Sequence, residues 1–309
     1  MKYVGKKMVS LVVVLLIASI ICFLIIHFIP GSPAETLAGP GASLEDIEHI
    51  KKTMGLDKPL IEQYCNWIGN IEFHGDFGDS LISNEPVSDM MWSKFGNTLI
   101  LAFCGILIAV LIGIPLGMIS AIKQNSFLDV LTMGVSIVGV SMPIFWVSLL
   151  LILFFSVNLG IFPATVYGGS VTLMNLVLPS IAIGLNSMAV IARMTRSSML
   201  EVMRQDYIRT ADAKGMPYHT VIIKHALKNA MIPIITTIGI QFGYLLGGAV
   251  LTETVFVYPG IGRLLVNSIN RRDYITVQGC MLVITALFVI MNTLIDLLYH
   301  FFDPRIKDV

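Results

Sequence analysis

Long runs without a single charge set the pattern of this chain. A helix needs about 20 apolar residues to cross the hydrocarbon core of a bilayer. The charge-free windows that meet or approach that length are 8–26, 96–122, 130–192, 229–252 and 274–295. The third is too long for one helix and breaks at NLGIFPATVYGGSVTLMN, which is rich in Gly, Pro and Asn. It divides into spans at about 130–157 and 173–192. The pattern therefore predicts an all-α membrane protein with six transmembrane helices. The first run follows Lys2, Lys6 and Lys7. It exceeds the h-region of a signal peptide, and HFIPGSP is not a small-residue cleavage site, so it reads as an uncleaved span.

The polar stretches between the windows orient the spans. With the N-terminus in the cytoplasm, 13 of the 20 Lys and Arg residues fall inside, seven of them between Arg193 and Lys228. The positive-inside rule favours that arrangement, with both termini cytoplasmic. The division is then a first span in 1–29, an extracellular region in 30–96, and a five-span core in 97–309 with a cytoplasmic loop at 194–229. The extracellular region carries 11 Asp and Glu between residues 30 and 95. Within it Leu60, Tyr64, Trp67 and Ile68 recur at helical spacing and predict a small amphipathic helix.

The cytoplasmic loop contains QDYIRTADAKGMPYHTVIIKHALKNAMIP, residues 205–233. Met199, Met203, Tyr207 and Ala211 are spaced by four, so they predict one apolar stripe on a helix continuing from the fourth span. Gly215 suits the left-handed position just past a helix end, with Lys214 in the last turn and Pro217 soon after. Pro217 suits the first turn of a second short helix, whose apolar face would be Tyr218, Val221, Ile222 and Ala226. The result is a helix–Gly–helix elbow. On physical grounds two readings stay open: a basic loop lying on anionic lipid, or a docking element for another protein.

Composition narrows the function classes. The chain has 309 residues, 55% hydrophobic and 13% charged, with mean hydropathy +0.82; a soluble domain carries about 25% charged residues. The formal net charge is zero, so no basic field exists for nucleic acid. Cys22, Cys65, Cys104 and Cys280 are scattered, with no CxxC, and read as free thiols. The 17 methionines are spread as apolar filler, and no cluster argues for metal. No G-x-x-x-x-G-K-[ST] occurs, so the chain has no phosphate-cradling loop of that kind. YPGIGRLL lacks the third glycine of a dinucleotide fingerprint and reads as a turn between spans five and six.

The loop resembles the EAA coupling loop of ATP-binding cassette importer permeases, in the dipeptide/oligopeptide/nickel branch. DYIRTADAKG at 206–215 and HALKNAMIPII at 225–235 carry that resemblance. FIPGSP, NTLILA, SMPIFWVSLLLILFF, IFPATVYG, MTRSSMLEVMRQDY, TETVFVYPGIGRLL and FFDPRI are similar to the family's segments and stand in the same order. The general signature begins with Glu; here Arg209 and Thr210 occupy that neighbourhood, as expected in this branch. The resemblance is to the first permease subunit of the oligopeptide/dipeptide type. It implies the type I ABC importer permease fold, in a bacterial cytoplasmic membrane. It also implies a second homologous permease, two ATPase subunits and an extracellular solute-binding protein as partners. ATP and Mg would be bound by the ATPases, with no cofactor and no catalytic residue in this chain.

Carried over by position, Ala211 and Gly215 become close-contact positions for an ATPase, flanked by Tyr207, Arg209, Asp212 and Lys214. Glu253 is placed at the outer mouth of the path. Gly239, Gly243 and Gly247 form a small-residue face in the fifth span, which lies either against the partner permease along the path or inside one subunit. Pro115, Pro143 and Pro179 permit kinks in spans two, three and four. Asp296 reads as wet at the inner end of the last span. Peptides are the favoured cargo, with nickel chelates or glutathione as the in-family alternatives. An ion-coupled secondary transporter fits less well, because it predicts paired charges near the bilayer midplane and the apolar windows hold none.

Overall fold

A computed structural model describes residues 2–28, 34, 38, 41–53, 55–166 and 169–302 of the chain. Residues 29–33 of FIPGSP, 303–306 of FFDPRI, Arg305, Lys307 and the side chain of Asp296 lie outside that description. Among the described residues, five helices are long and apolar enough to cross a membrane. They are α1 (Lys2–Phe28), α4 (Val87–Ile122), α7 (Leu173–Met203), α9 (Tyr218–Val255) and α11 (Tyr274–Phe302). The sixth expected span is not straight. It is a pair, α5 (Phe127–Ser141) and α6 (Ile144–Asn158), bent by 106°. Pro143 caps α6 and cannot donate the hydrogen bond that would continue α5. The kink expected there is therefore a full break. Pro115 and Pro179 stay inside continuous helices.

The chain forms two compact units. One comprises Met1–Thr98 and Pro259–Ile290. It contains α1, α2 (Leu44–Thr53), α3 (Leu60–His74), the start of α4, α10 (Ile261–Arg271) and most of α11. The expected amphipathic helix is α3. It ends at Gly75 (φ +65°), whose N–H donates to the Ile71 carbonyl. Tyr64 shares a 2.8 Å hydrogen bond with Ser19 of α1 and stacks edge-on to Phe23, with Trp67 beside them. The segment read as a turn at YPGIGRLL is instead α10. Gly260 starts it in extended backbone, and Ile261 and Leu264 face Val87, Met91 and Cys280 in the core of this unit. Its far end meets Asp273, which accepts from Ser80 Oγ (2.6 Å), Thr276 Oγ1 (2.7 Å) and the Leu81 N–H (3.1 Å).

The other unit comprises Leu99–Tyr258 and Met291–Val309. In it α4 and α7 lie backbone to backbone. A Cβ placed on Gly184 would stand 2.5 Å from the Gly105 carbonyl oxygen, and one on Gly113 would stand 2.8 Å from the Met188 carbonyl oxygen. The two backbones thus touch directly, the close approach that small residues permit between membrane helices. On α7, Ser187 Oγ donates to Gln241 Oε1 of α9 (3.1 Å), and Asn186 Nδ2 donates to the Val140 carbonyl of α5 (3.3 Å).

Candidate functional site: the elbow between α7 and α9

Helix α7 stops at Met203. Arg204 still has helical dihedrals, but Gln205 is extended (φ −74°, ψ 147°) and starts a new helix, α8 (Asp206–Ala213). The predicted four-residue stripe assumed one unbroken helix. The extended residue resets the phase, so the stripe splits. Met199 stays buried, while Tyr207 turns outward at 46% exposure, and Ile208 and Ala211 take the inward positions at 7% each.

Gly215 terminates the elbow as the sequence predicts. Its φ is +72°, a conformation that costs an L side chain about 1 kcal/mol or more. Its N–H donates to the Asp212 carbonyl, and the Lys214 N–H donates to that of Thr210. Pro217 follows and caps α9. The predicted second short helix is not separate: a π-helical stretch, Val221–Leu227, joins its first turn to the fifth span without a break. Val221, Ile222 and Ala226 are buried as expected, whereas Tyr218 is exposed.

The inward residues share a single core. Ile208 and Ala211 of α8, Met199 of α7, Ala121 of α4, and Val221, Ile222, Ala226, Ala230 and Ile234 of α9 form one buried apolar cluster. Packing of this kind makes the elbow one body with the ends of three long helices. Its outer surface is polar and open. Asp206, Tyr207, Arg209, Asp212, Lys214 and Gly215 are all exposed, and a Cβ on Gly215 would meet nothing within 4 Å. Asp206 and Arg209 form a loose surface pair at 3.8 Å. Of the predicted site residues, five of the six share this outer surface, and Ala211 alone belongs to the inner one.

The residues assigned to the path are placed differently from one another. Gly243 packs within the chain: a Cβ there would stand 3.1 Å from Asn292 Oδ1 of α11. Gly239 likewise abuts Ile295, whereas Gly247 is exposed. Glu253 is fully buried, and its carbonyl accepts from the Tyr258 N–H at 2.8 Å. Burial, with the nearby Glu253 charge, pushes the Tyr258 phenol above its ordinary value.

One constellation escaped the sequence reading. Arg196, on α7, donates from Nε to Asp129 Oδ1 (2.6 Å) and from Nη2 to Oδ2 (2.7 Å). Ser120 Oγ also donates to Asp129, and the Asn125 N–H donates to Oδ2 at 2.9 Å. Asp129 adjoins the 130–192 window and Arg196 lies four residues past it, so a search for charges inside windows passed both over. Only their spacing of 67 residues stood in the sequence, and that announces no contact. Among the described residues no group of three or more His, Cys, Asp or Glu could hold a metal.

A profile described as binding-protein-dependent transport system inner membrane component matches residues 113–308, which include the whole elbow. A second, for the N-terminal part of such membrane components, matches residues 1–102. The chain belongs to this family. It is a multi-pass inner membrane transport subunit, and it carries both family regions across nearly its full length. Among its relatives, the dipeptide transport system permease protein DppB of Alkalihalophilus pseudofirmus is 43% identical, with 99% of each chain covered. The glutathione transport system permease protein GsiC of Escherichia coli K12 is 41% identical, again over 99% of each. The crystal structure of an amino acid ABC transporter with histidines is similar in fold. Its TM-score is 0.51 at 17% identity, covering 71% of this chain and 95% of that one. Membership also disposes of the ion-coupled secondary transporter, although a charge pair does exist in buried Asp129 and partly exposed Arg196.

Proposed function

We propose that this chain is the permease subunit of a peptide importer, forming half of the translocation path beside a second, homologous permease. Two ATP-binding cassette subunits bind ATP and Mg, and an extracellular solute-binding protein delivers the cargo. The observation that carries this reading is the elbow's construction. Its inner face is welded to three long helices, while its outer face offers Tyr207, Arg209, Asp212, Lys214 and Gly215 to a partner. A short helix fixed to long ones is a lever, able to turn movement of a partner into rocking of the spans. A helix lying on lipid needs an apolar face for the bilayer, and in α8 the Ile208 and Ala211 face is turned into the chain's own core instead.

The test is docking. Gly215→Trp places bulk where the chain itself offers no neighbour, so insertion in the membrane should persist while co-purification of the ATPases is lost. Gly215→Asn, which tolerates the left-handed backbone, should keep both. ATPases that co-purify with the Trp variant at the normal yield would overturn the assignment.

Peptide cargo is supported by the relatives, one a dipeptide and one a glutathione permease. Glutathione is the second reading, since it is itself a short peptide. Cells lacking this gene should lose uptake of labelled dialanine. Unchanged dialanine uptake with lost glutathione uptake would favour the second reading, and lost nickel uptake alone would refute both.

A further inference from the structure

We propose that Asp129 and Arg196 are positioning residues that clamp α5 to α7, so that movement of the elbow is delivered to the break between α5 and α6. This rests on the reading of the elbow as a docking lever. Its grounds are the cost, geometry and placement of the pair.

Burying an ion pair costs several kcal/mol per ion before attraction repays it, and apolar residues of similar size often hold two helices together as well or better. Asp129 is 3% exposed, while Arg196 keeps 24% of its side chain open, so the cost falls on the carboxylate and adhesion alone does not account for burying it. What the pair adds is direction. A guanidinium fork with two parallel N–H···O bonds fixes angle as well as distance. The remaining capacity of the carboxylate is filled by Ser120, in the last turn of α4, and by the Asn125 N–H of the α4–α5 connection. Three pieces of chain are thereby held by one side chain.

Placement gives the clamp its role. Arg196 lies on the helix that leads into the elbow, and Ser120 adjoins Ala121, a member of the elbow's core. Two of the three long helices joined to the elbow, α4 and α7, thus meet at Asp129. From there α5 runs antiparallel to α7. It meets α7 again through Val140 and Asn186, then reaches the 106° break at Met142 and Pro143. The helices pack along their length, with a Cβ placed on Gly139 standing 3.7 Å from that of Ala189 near the Val140–Asn186 bond, and the fork adds to this packing a charged contact of fixed angle. Packing passes a push from α7 to α5, and the fork keeps the angle at which it arrives.

The experiment uses the full importer in proteoliposomes, with its ATPases, second permease and binding protein, and tritiated dialanine as probe. Asp129→Asn, Arg196→Lys and the exchange Asp129→Arg/Arg196→Asp are compared. Each single variant should assemble and hydrolyse ATP, while dialanine taken up per ATP falls about tenfold, a loss within the range of coupling energies between sites. The exchange should recover part of it. Independently, spin labels at Val130→Cys and Ser197→Cys in a cysteine-free background should give a narrow distance distribution that Asp129→Asn broadens. Unchanged uptake per ATP in the single variants overturns the proposal. So does equal coupling in an apolar Asp129→Leu/Arg196→Met pair, which would make the role adhesion. If Asp129→Asn fails to assemble, Arg196→Lys and the exchange decide; if Arg196→Lys fails, Asp129→Asn and the exchange decide. If the wild-type importer neither recruits ATPases nor takes up dialanine, the lever reading falls. The spin-label distances then judge the clamp alone, and a distribution unmoved by Asp129→Asn refutes it.

Discussion

Two neighbours in the elbow, Tyr207 and Ile208, show how sharply adjacent residues can divide their work. Tyr207 is nearly half exposed and Ile208 is buried against α4, α7 and α9. Tyr207→Ala should leave the melting temperature of the solubilised chain unchanged and weaken ATPase recruitment, as the loss of an exposed aromatic anchor does. Ile208→Ala should do the reverse in origin: it opens a cavity costing about 2 kcal/mol or more and lowers the melting temperature. An Ile208→Ala chain as stable as the wild type would contradict the packed elbow. At this scale Gly215 was legible, because a glycine after a helix and shortly before a proline has a specific backbone meaning. Tyr207 was legible as a member of a stripe but not in its direction. One extended residue, Gln205, rotates everything after it, and periodicity cannot register such a step. Asp129 and Arg196 were each visible, yet their partnership is tertiary.

Among the elements, α4 and α7 approach backbone to backbone at Gly105 and Gly184. In an exposed helix, Gly→Ala gains about 1 kcal/mol through backbone entropy. At Gly184 the sign should invert. The added methyl would stand 2.5 Å from the Gly105 carbonyl oxygen, an atom of the facing backbone that cannot rotate away. Overpacking of this kind costs about 1–3 kcal/mol, so Gly184→Ala should lower the thermal midpoint of the detergent-solubilised protein. A raised midpoint would show that the two helices do not touch as described. The sequence drew attention to a different glycine face, that of Gly239, Gly243 and Gly247. Two of its members do pack closely, but against α11 of the same chain. Gly113 and Gly117 have the same four-residue spacing and were equally readable. Spacing marks where a backbone can come close, and it says nothing of which helix arrives.

For the molecule as a whole, counting apolar residues located the spans well, because length and charge are what a bilayer tests. It gave no direction inside an apolar run, so the α5–α6 break was foreseen only as a kink at Pro143. It also missed α10, whose alternating polar and apolar faces looked like a connection. Orientation has a direct check. A fluorescent protein fused after Val309 should glow, and alkaline phosphatase inserted after Gly75 should be active. The opposite pair of results would invert the topology and remove the elbow from the cytoplasm. The N-terminal part carries one more consequence. Phe23, Tyr64 and Trp67 find each other, and Ser19 finds Tyr64, within the first 74 residues. Translation proceeds from that end, and each contact just named lies within it. The earliest-made portion can thus settle into its final arrangement while the ribosome is still producing the rest, leaving the translocon a finished anchor from which to thread each following helix.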